Sequence, residues 1–222
     1  MTDLALQRTN MVESQVRPSD ITDRRIIRAM LSLPRELFVA PGAEAVAYMD
    51  QDVPVGSVGG KPQRCLLAPR ILAKLVQLAD VNQTDRVLDV GCATGYATAL
   101  LAQLAGTVVG LDSDAALVQV ASGLLAELKL VNATIATGPL PEGRAEAAPF
   151  DVILLEGCVS EAPRALIGQL KPGGRLVAIL ADGTFGKAVI WRRAGEAADM
   201  REMFDAGGPQ LPGFERKAAF VF

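Results

Sequence analysis

The chain has 222 residues, half of them hydrophobic, with 22 basic side chains, 25 acidic side chains and no histidine. The lack of histidine excludes Ser-His-Asp and Cys-His catalysis, a histidine general base and a His-ligated zinc ion. The formal net charge of −3 argues against sequence-independent binding to nucleic acid, and no run approaches the ~20 apolar residues of a membrane span. Cys65, Cys92 and Cys158 are isolated, and with no signal peptide in the first residues they indicate a reducing cytoplasm.

The first third of the chain predicts helices followed by a loop. Apolar residues recur at helical spacing from about Leu4 to Val16, and again from about Thr22 to Leu31. There is little periodicity from Tyr48 to Pro69, where glycine and proline predict a mobile loop. We expect another helix from about Pro69 to Ala79, because proline suits a first helical turn.

The stretch VLDVGCATGYA, from Val87 to Ala97, predicts a buried strand, a glycine-containing turn and a helix. Such a corner binds nucleotides, because the backbone can approach a ligand and the helix offers free N–H groups. The turn has the spacing Gly91-x-Ala93-x-Gly95 and lacks the G-x-G-x-x-G spacing of dinucleotide sites. The motif resembles that of class I S-adenosylmethionine-dependent methyltransferases, with Ala93 in place of the middle glycine. Asp89 before it suits the cofactor's ammonium, or else hydrogen-bonds the turn that follows.

A second strand, Thr107 to Leu111, ends at Asp112. A carboxylate at this position can accept hydrogen bonds from the hydroxyls of a ribose. Alternatively, Asp112 or Ser113 only caps the helix expected from about Asp114 to Lys129. The two roles are compatible, so both remain open at this point.

The second half of the chain alternates strands and helices, which predicts an α/β fold with a doubly wound, mostly parallel, Rossmann-like sheet. Late strands with no helix between them predict an antiparallel edge near the C-terminus. Ligands of such sheets bind at the carboxyl ends of the strands, which places Glu156 in the same crevice as the glycine turn. The expected elements are strands at 133–136, 150–155, 175–180, 187–192 and 217–222, a helix at 163–170 and a turn at 171–174.

The order of these elements resembles the protein-L-isoaspartate O-methyltransferase family over nearly the whole chain. MVESQVRPSDITDRRIIRAMLSLPRELFV resembles its N-terminal helices, AYMDQDVPVG the lead into its acceptor loop, and VLDVGCATGYATALLAQLA its cofactor motif. APFDVILLEG, QLKPGGRLVAIL and AVIWRRAG resemble its later strands. The resemblance implies one domain over residues 1–222, with N-terminal helices and acceptor loop in 1–80 and the cofactor-binding core in 81–222.

The resemblance also implies the chemistry. Members of the family bind S-adenosylmethionine and methylate the α-carboxyl of L-isoaspartyl residues, which form when Asn or Asp rearranges in aged proteins. The implied partners are therefore damaged proteins. The composition argues against nucleic acid, membrane and metal, and we expect a cytoplasmic monomer. No residue is assigned a catalytic step, and the acceptor-loop candidates are Arg64, Cys65 and Leu67. The expected cofactor-binding residues are Asp89, Gly91, Cys92, Ala93, Gly95, Asp112, Ser113, Gly138 and Glu156.

Three departures from the family pattern stand out. The acceptor motif Thr-Ile-Ser-x-Pro is replaced by residues 65–69, CLLAP, and losing a hydroxyl donor costs about 1–3 kcal/mol. Four nearby polar side chains either compensate for the lost hydroxyls or are solvated charges of the loop. Pro139 stands where the family has an aspartate near the adenine. Glu156 either repels an anionic acceptor, binds the cofactor's cation or caps the next turn. The four compensating candidates are Lys61, Gln63, Arg64 and Arg70.

These departures leave rival functions open. One is a homologue that binds S-adenosylmethionine but uses another acceptor or has lost catalysis, because Cys65, Leu66 and Leu67 suit an apolar acceptor. Another is a nicotinamide-dependent oxidoreductase, against which the missing dinucleotide spacing and Asp89 argue. The last is a non-enzymatic interaction module.

Overall fold

The computed structural model describes residues 3–58, 61–182, 185–195 and 197–216. The helices are α1 (Leu4–Met11), α2 (Arg24–Ser32), α3 (Pro69–Ala79), α4 (Tyr96–Ala102), α5 (Ala115–Glu127) and α6 (Arg164–Ile167). The strands are β1 (Val53–Val58), β2 (Lys61–Leu66), β3 (Arg86–Val90), β4 (Thr107–Asp112), β5 (Ala133–Thr137), β6 (Phe150–Val159), β7 (Leu170–Asp182), β8 (Phe185–Ala194) and β9 (Ala197–Ala206).

Within the described residues, seven strands form one sheet in the order β5-β4-β3-β6-β7-β8-β9. The pairings from β5 to β7 are parallel, and those of β8 and β9 are antiparallel. Parallel strands need crossover connections, and α4, α5 and α6 lie in those connections. The predicted doubly wound, mostly parallel sheet is confirmed, as is its antiparallel edge.

The sheet is buried on both faces. Val87 and Val152 belong to one apolar cluster, which also contains the N-terminal helices and α3, whereas Leu88 and Ile153 belong to a second cluster on the opposite face. Successive side chains of a strand point to opposite faces, so one short apolar run supplies both clusters. The carboxyl ends of these strands are thereby held at one edge of the sheet.

The N-terminal helical segment continues beyond the last α-helical residue of α1. After α1 the chain continues as a π-helical segment, Val12–Val16, and a 3₁₀ turn, Arg17–Ser19, before Asp20 adopts a left-handed φ of 63°. The predicted helix over 4–16 is therefore present, although its second half is not α-helical. Asp23 is the cap of α2, because its carboxylate accepts the N–H of Arg25 at 2.8 Å.

One prediction was wrong, and one strand was not predicted. Instead of a structureless loop, β1 and β2 form an antiparallel hairpin, with Val53 opposite Leu66. Those two side chains are buried at the base of the hairpin. Because so few positions of the hairpin are apolar, its sequence lacks the alternation of apolar and polar residues that predicts a strand. Beside β8 lies β9, a strand that was not predicted, whereas the strand predicted at 217–222 lies outside the described residues.

The C-terminal half also differs in its element bounds. The helix predicted at 163–170 is only α6, four residues long. The residues predicted as a turn, 171–174, fall within β7, where the pairing with β6 is irregular between Phe150 and Val152. No helix in the described ranges has both the length and the apolarity needed to cross a membrane.

Gly123 gives a test of the helical core. It lies inside α5, is exposed, and has open space where a Cβ would be placed. Gly123→Ala is expected to raise the free energy of unfolding by roughly 0.5–1 kcal/mol, because alanine has a higher helix propensity than glycine. Urea denaturation measures the change, and a loss of stability would mean that α5 is not helical at this position.

Candidate active site

The turn between β3 and α4 has an unusual backbone. Gly91, Ala93 and Gly95 all have left-handed φ values, of 81°, 51° and 90°. Glycine adopts this region freely, whereas for alanine it costs roughly 1–2 kcal/mol. A Cβ on Gly91 would also lie 2.8 Å from Cδ2 of Leu211. Glycine at positions 91 and 95 therefore allows the backbone conformation of this turn, as the sequence predicts.

Asp112 holds this turn in place. Its side chain is buried at the end of β4, and Oδ2 accepts the N–H of Ala93 at 3.0 Å, while Oδ1 accepts the N–H of Asp114 at 3.0 Å. Asp114, and not Asp112 or Ser113, is the N-cap of α5, because its carboxylate accepts the N–H of Ala116 at 2.8 Å. Asp112 is thus not the N-cap of α5, and its carboxylate belongs to the crevice.

Arg64 of the hairpin reaches into the same place. Its Nε donates to Oδ2 of Asp112 at 2.8 Å, and its terminal nitrogen Nη2 donates to the hydroxyl of Ser113 at 2.8 Å. The two charged side chains are 4% and 0% exposed, so Arg64 is not a solvated loop charge. Arg70 does lie at the surface, paired with Asp50 at 3.1 Å, and the side chains of Lys61 and Gln63 lie outside the described part.

Asp89 and Glu156 lie side by side below the turn. Oδ2 of Asp89 accepts the hydroxyl of Thr98 at 2.6 Å, so its partner is in α4 and not in the turn. The carboxyl of Glu156 lies close enough to that of Asp89 for the charge of Asp89 to raise the pKa of Glu156. Among the described residues, Oδ1 of Asp89 and Oε1 of Glu156 have no hydrogen-bond partner. Glu156 lies inside β6 and caps no turn.

Burial dominates the acidity of this pair. It raises the pKa of Asp89 to about 7, with the hydrogen bond from Thr98 acting in the opposite direction. Burial also raises the pKa of Glu156 well above its ordinary value, and the neighbouring charge of Asp89 raises it further. The two carboxyls titrate as a coupled pair, and burial disfavours the ionised form of both.

A segment near the C-terminus closes the crevice, and the sequence analysis assigned it no role. The N–H of Cys158 donates to Pro209 O at 2.7 Å, and the N–H of Leu211 donates to Cys158 O at 3.0 Å. The pairing is a parallel bridge between Cys158 and Gln210, beside the last residues of β6, and Leu211 is buried against the glycine turn. A Cβ on Gly157 would lie 2.5 Å from Pro209 O, so this close approach needs glycine.

Arg35 is the second residue that the sequence analysis missed. It is fully buried, its Nε donates to Ala47 O at 2.7 Å, and its Nη2 donates to Leu67 O at 2.8 Å. Its guanidinium also stacks over the ring of Tyr96, with 4.7 Å from Cζ to the centroid. Arg35 thereby ties the base of the hairpin to the glycine turn. An arginine in the run LPRELF carries no signal of burial.

The acceptor-loop candidates have different environments. Leu67 is fully buried, so only its backbone is available to a ligand. Cys65 is half-buried, and burial raises the pKa of its thiol to about 11, which keeps it protonated and weakly nucleophilic at neutral pH. Cys92 is buried, and burial raises its pKa as well. Gly138 lies beside the site, where its N–H donates to Asp112 O at 3.0 Å.

The arrangement suits a cationic nucleoside. The ends of β3, β4 and β6 bring together three buried acids, Asp89, Asp112 and Glu156, and two unpartnered carboxyl oxygens. Unpaired buried acceptors and excess negative charge match an ammonium and a sulfonium, and Asp112 stands where ribose hydroxyls bind in this fold. The described residues include no cluster of three or more Cys, Asp or Glu side chains able to hold a metal ion.

Known proteins match this chain over most of its length. A family model described as "Protein-L-isoaspartate(D-aspartate) O-methyltransferase (PCMT)" matches residues 6–202. A protein-L-isoaspartate O-methyltransferase of Koribacter versatilis is 38% identical over 177 residues, covering 80% of this chain and 78% of the relative. One of Methylorubrum extorquens is 38% identical over 205 residues, covering 92% and 86%.

Solved structures share the fold. A chain named protein-L-isoaspartate O-methyltransferase superposes with a TM-score of 0.82 at 21% identity, covering 93% of this chain and 66% of the other. A putative enzyme of that name from Plasmodium falciparum, in complex with S-adenosyl-L-homocysteine, has a TM-score of 0.75 at 21% identity, covering 95% and 99%. On the strength of the family model and the curated relatives, the chain belongs to the protein-L-isoaspartate O-methyltransferase family.

Proposed function

We propose that this protein transfers the methyl group of S-adenosylmethionine to the α-carboxyl of L-isoaspartyl residues in damaged proteins. The observation that carries the proposal is the crevice of three buried acids beside the glycine turn, in a chain of this family. The rivals are not favoured, because the curated relatives at about this level of identity share one activity in their names.

The reaction needs no imidazole. A carboxylate is ionised at neutral pH and attacks an activated methyl directly, so the protein has to supply orientation and a desolvated site. S-adenosylmethionine, when bound, supplies the electrophilic methyl on a sulfonium. A chain with no histidine can therefore carry out this reaction, whereas it lacks the base that most acyl transfers use.

The proposed roles follow from the geometry. Asp112 accepts hydrogen bonds from the ribose, and the turn backbone from Gly91 to Gly95 lies against the cofactor, with Cys92, Ser113 and Gly138 beside it. Asp89 and Glu156 face its cationic end. Arg64 lies in the hairpin that carries the acceptor motif, and its ion pair with Asp112 ties that hairpin to the ribose end of the cofactor site.

The experiment is a calorimetric titration with S-adenosylhomocysteine, followed by methyl transfer to an isoaspartyl peptide and to its normal-aspartyl control. Binding with transfer to the isoaspartyl peptide alone is the expected result. Binding without transfer would contradict the acceptor, and would point to Cys65, Leu67 and Glu156 as residues for a different one. A titration with no heat at saturating ligand would overturn the cofactor as well.

We further propose that the enzyme is a monomer of one domain, residues 1–222, working in the cytoplasm. The three cysteines are free, and burial raises the pKa of Cys65 and of Cys158 to about 11, which suits thiols that persist in a reducing compartment. Light scattering after gel filtration checks the first statement, since a mass of two chains would contradict it.

A further inference from the structure

We propose that a cavity beside the acceptor motif binds an acidic side chain of the substrate polypeptide, a few residues from the isoaspartyl residue that is methylated. The cavity has a volume of about 360 Å³ and lies between α3 and the ends of β8 and β9. The inference rests on the proposed function, because it needs the isoaspartyl carboxyl to bind at residues 65–69. It deepens that function by naming a second contact and the charge that this contact selects.

The cavity lies at the same edge of the sheet as the cofactor crevice. Near the carboxyl end of β7, Ala181 is paired with Gly186 of β8, and Gly186 is paired with Ala206 of β9. Gly186 and Ala206 both line the cavity. Because β7 is parallel to β6, this is the edge at which the strands of the crevice end. A polypeptide bound at the crevice therefore reaches the cavity without crossing the sheet.

The acceptor motif is the direct neighbour of the cavity. Arg70 lines the cavity and comes three positions after Leu67, so their Cα atoms are at most about 11 Å apart. On the other side, Gly207 lines the cavity, and a Cβ on the next residue, Gly208, would lie 3.1 Å from Cδ2 of Leu67. An extended polypeptide advances about 3.3 Å per residue. A side chain within about three positions of the isoaspartyl residue can therefore enter the cavity.

Two basic side chains of α3 face this cavity together. Arg70 and Lys74 both line it, and their spacing of four residues places them on one face of the helix. Like charges at this spacing destabilise a helix, so the pair does not serve the stability of α3. Lys74 is half-buried, and its Nζ lies 4.3 Å from the centroid of the Phe204 ring. The aromatic ring thus fixes the ammonium beside the cavity.

The nearby acids do not neutralise both cations. Asp205 lines the cavity, but its carboxylate is paired with Lys187 at 2.6 Å. Asp50 is paired with Arg70 at 3.1 Å, and Lys74 forms no ion pair among the described residues. These groups give the described part of the cavity three positive and two negative charges. The surplus is positive, which complements the carboxylate of a glutamate or an aspartate.

The expected effect is on binding and not on the chemical step. The side chain of Arg70 is 53% exposed, so water screens the contact, and such ion pairs are weak. We expect an acidic residue in the cavity to lower KM by about 3- to 10-fold relative to an uncharged one. The contact is the same before and during methyl transfer, so kcat is expected to stay within about twofold.

The test is steady-state methylation of isoaspartyl peptides that carry Glu, Gln or Lys at one position, within three residues on either side. Acetylated and amidated ends ensure that only this side chain changes the charge. At the position that reaches the cavity, we expect the lowest KM with Glu and the highest with Lys. Lys74→Glu is expected to invert this order, because the peptide lysine then meets a carboxylate. Arg201→Met removes an exposed charge from β9 and is the control that keeps the wild-type order.

The outcomes separate the inference from the function on which it rests. Equal KM values for Glu, Gln and Lys at every position would overturn the inference and leave the proposed function intact, as would a preference for Glu that persists in Lys74→Glu. Methylation of no peptide would overturn both. Urea denaturation shows whether Lys74→Glu is folded. Lys74→Met, which keeps an unbranched side chain over Phe204, is the second variant, and an undiminished preference for Glu there would also overturn the inference.

Discussion

Asp112→Asn is expected to lower the free energy of unfolding by about 3–5 kcal/mol, the usual result of removing one partner of a buried ion pair. The asparagine amide would face the guanidinium of Arg64, which is 4% exposed and would lose its charged partner. Urea denaturation measures the loss. The ribose would also lose a charged acceptor, so we expect S-adenosylhomocysteine to bind about 10- to 100-fold more weakly.

A double-mutant cycle isolates the ion pair. Arg64→Met leaves Asp112 with the N–H groups of Ala93 and Asp114, so it should cost less than Asp112→Asn. The coupling between the two changes is expected to be about 1–3 kcal/mol, because the residues are in direct contact. Arg201→Met, in a pair with Asp199 at 73% and 62% exposure, is the control and should change stability by about 0.5 kcal/mol or less. Strictly additive losses at Arg64 and Asp112 would mean that their contact contributes nothing.

Arg35→Met is expected to cost about 3–5 kcal/mol of stability, because it leaves two buried carbonyls without donors. Those carbonyls belong to Ala47 and to Leu67, at the base of the acceptor hairpin. The stacking over Tyr96 is lost as well. Chemical denaturation gives the stability, and the KM for an isoaspartyl peptide is expected to rise because Leu67 is no longer held.

The conservative change at Arg35 separates charge from shape. Arg35→Lys keeps a positive charge, but a single ammonium does not reproduce the planar fork that reaches both carbonyls, so it should also be destabilising. Arg17→Met is the control, since its pair with Glu13 is 46% and 52% exposed and such pairs contribute about 0–1 kcal/mol. Wild-type stability in Arg35→Lys would show that the positive charge, and not the two hydrogen bonds, is what matters.

Local sequence patterns were sufficient to predict the central strands of the sheet and the glycine turn. The apolar runs of β3, β4 and β6 predicted buried parallel strands, and Gly91 with Gly95 predicted the turn that follows. These features depend on neighbours in sequence, through side-chain alternation and the φ range that glycine allows. For the same reason the elements with weak local patterns were missed: the hairpin of β1 and β2 was predicted as a loop, and β9 was not predicted at all.

The sequence by itself determined the fold class, the family and the set of acids that end the strands. Only the tertiary structure decided what surrounds those acids: Arg64 meets Asp112 across 48 positions in the chain, and Glu156 lies near Asp89 because β3 and β6 are paired. Such contacts depend on how strands are ordered in the sheet, which no local periodicity encodes. Burial likewise arises only when the layers of the fold pack together, and burial is what raises the pKa of Glu156 well above its ordinary value.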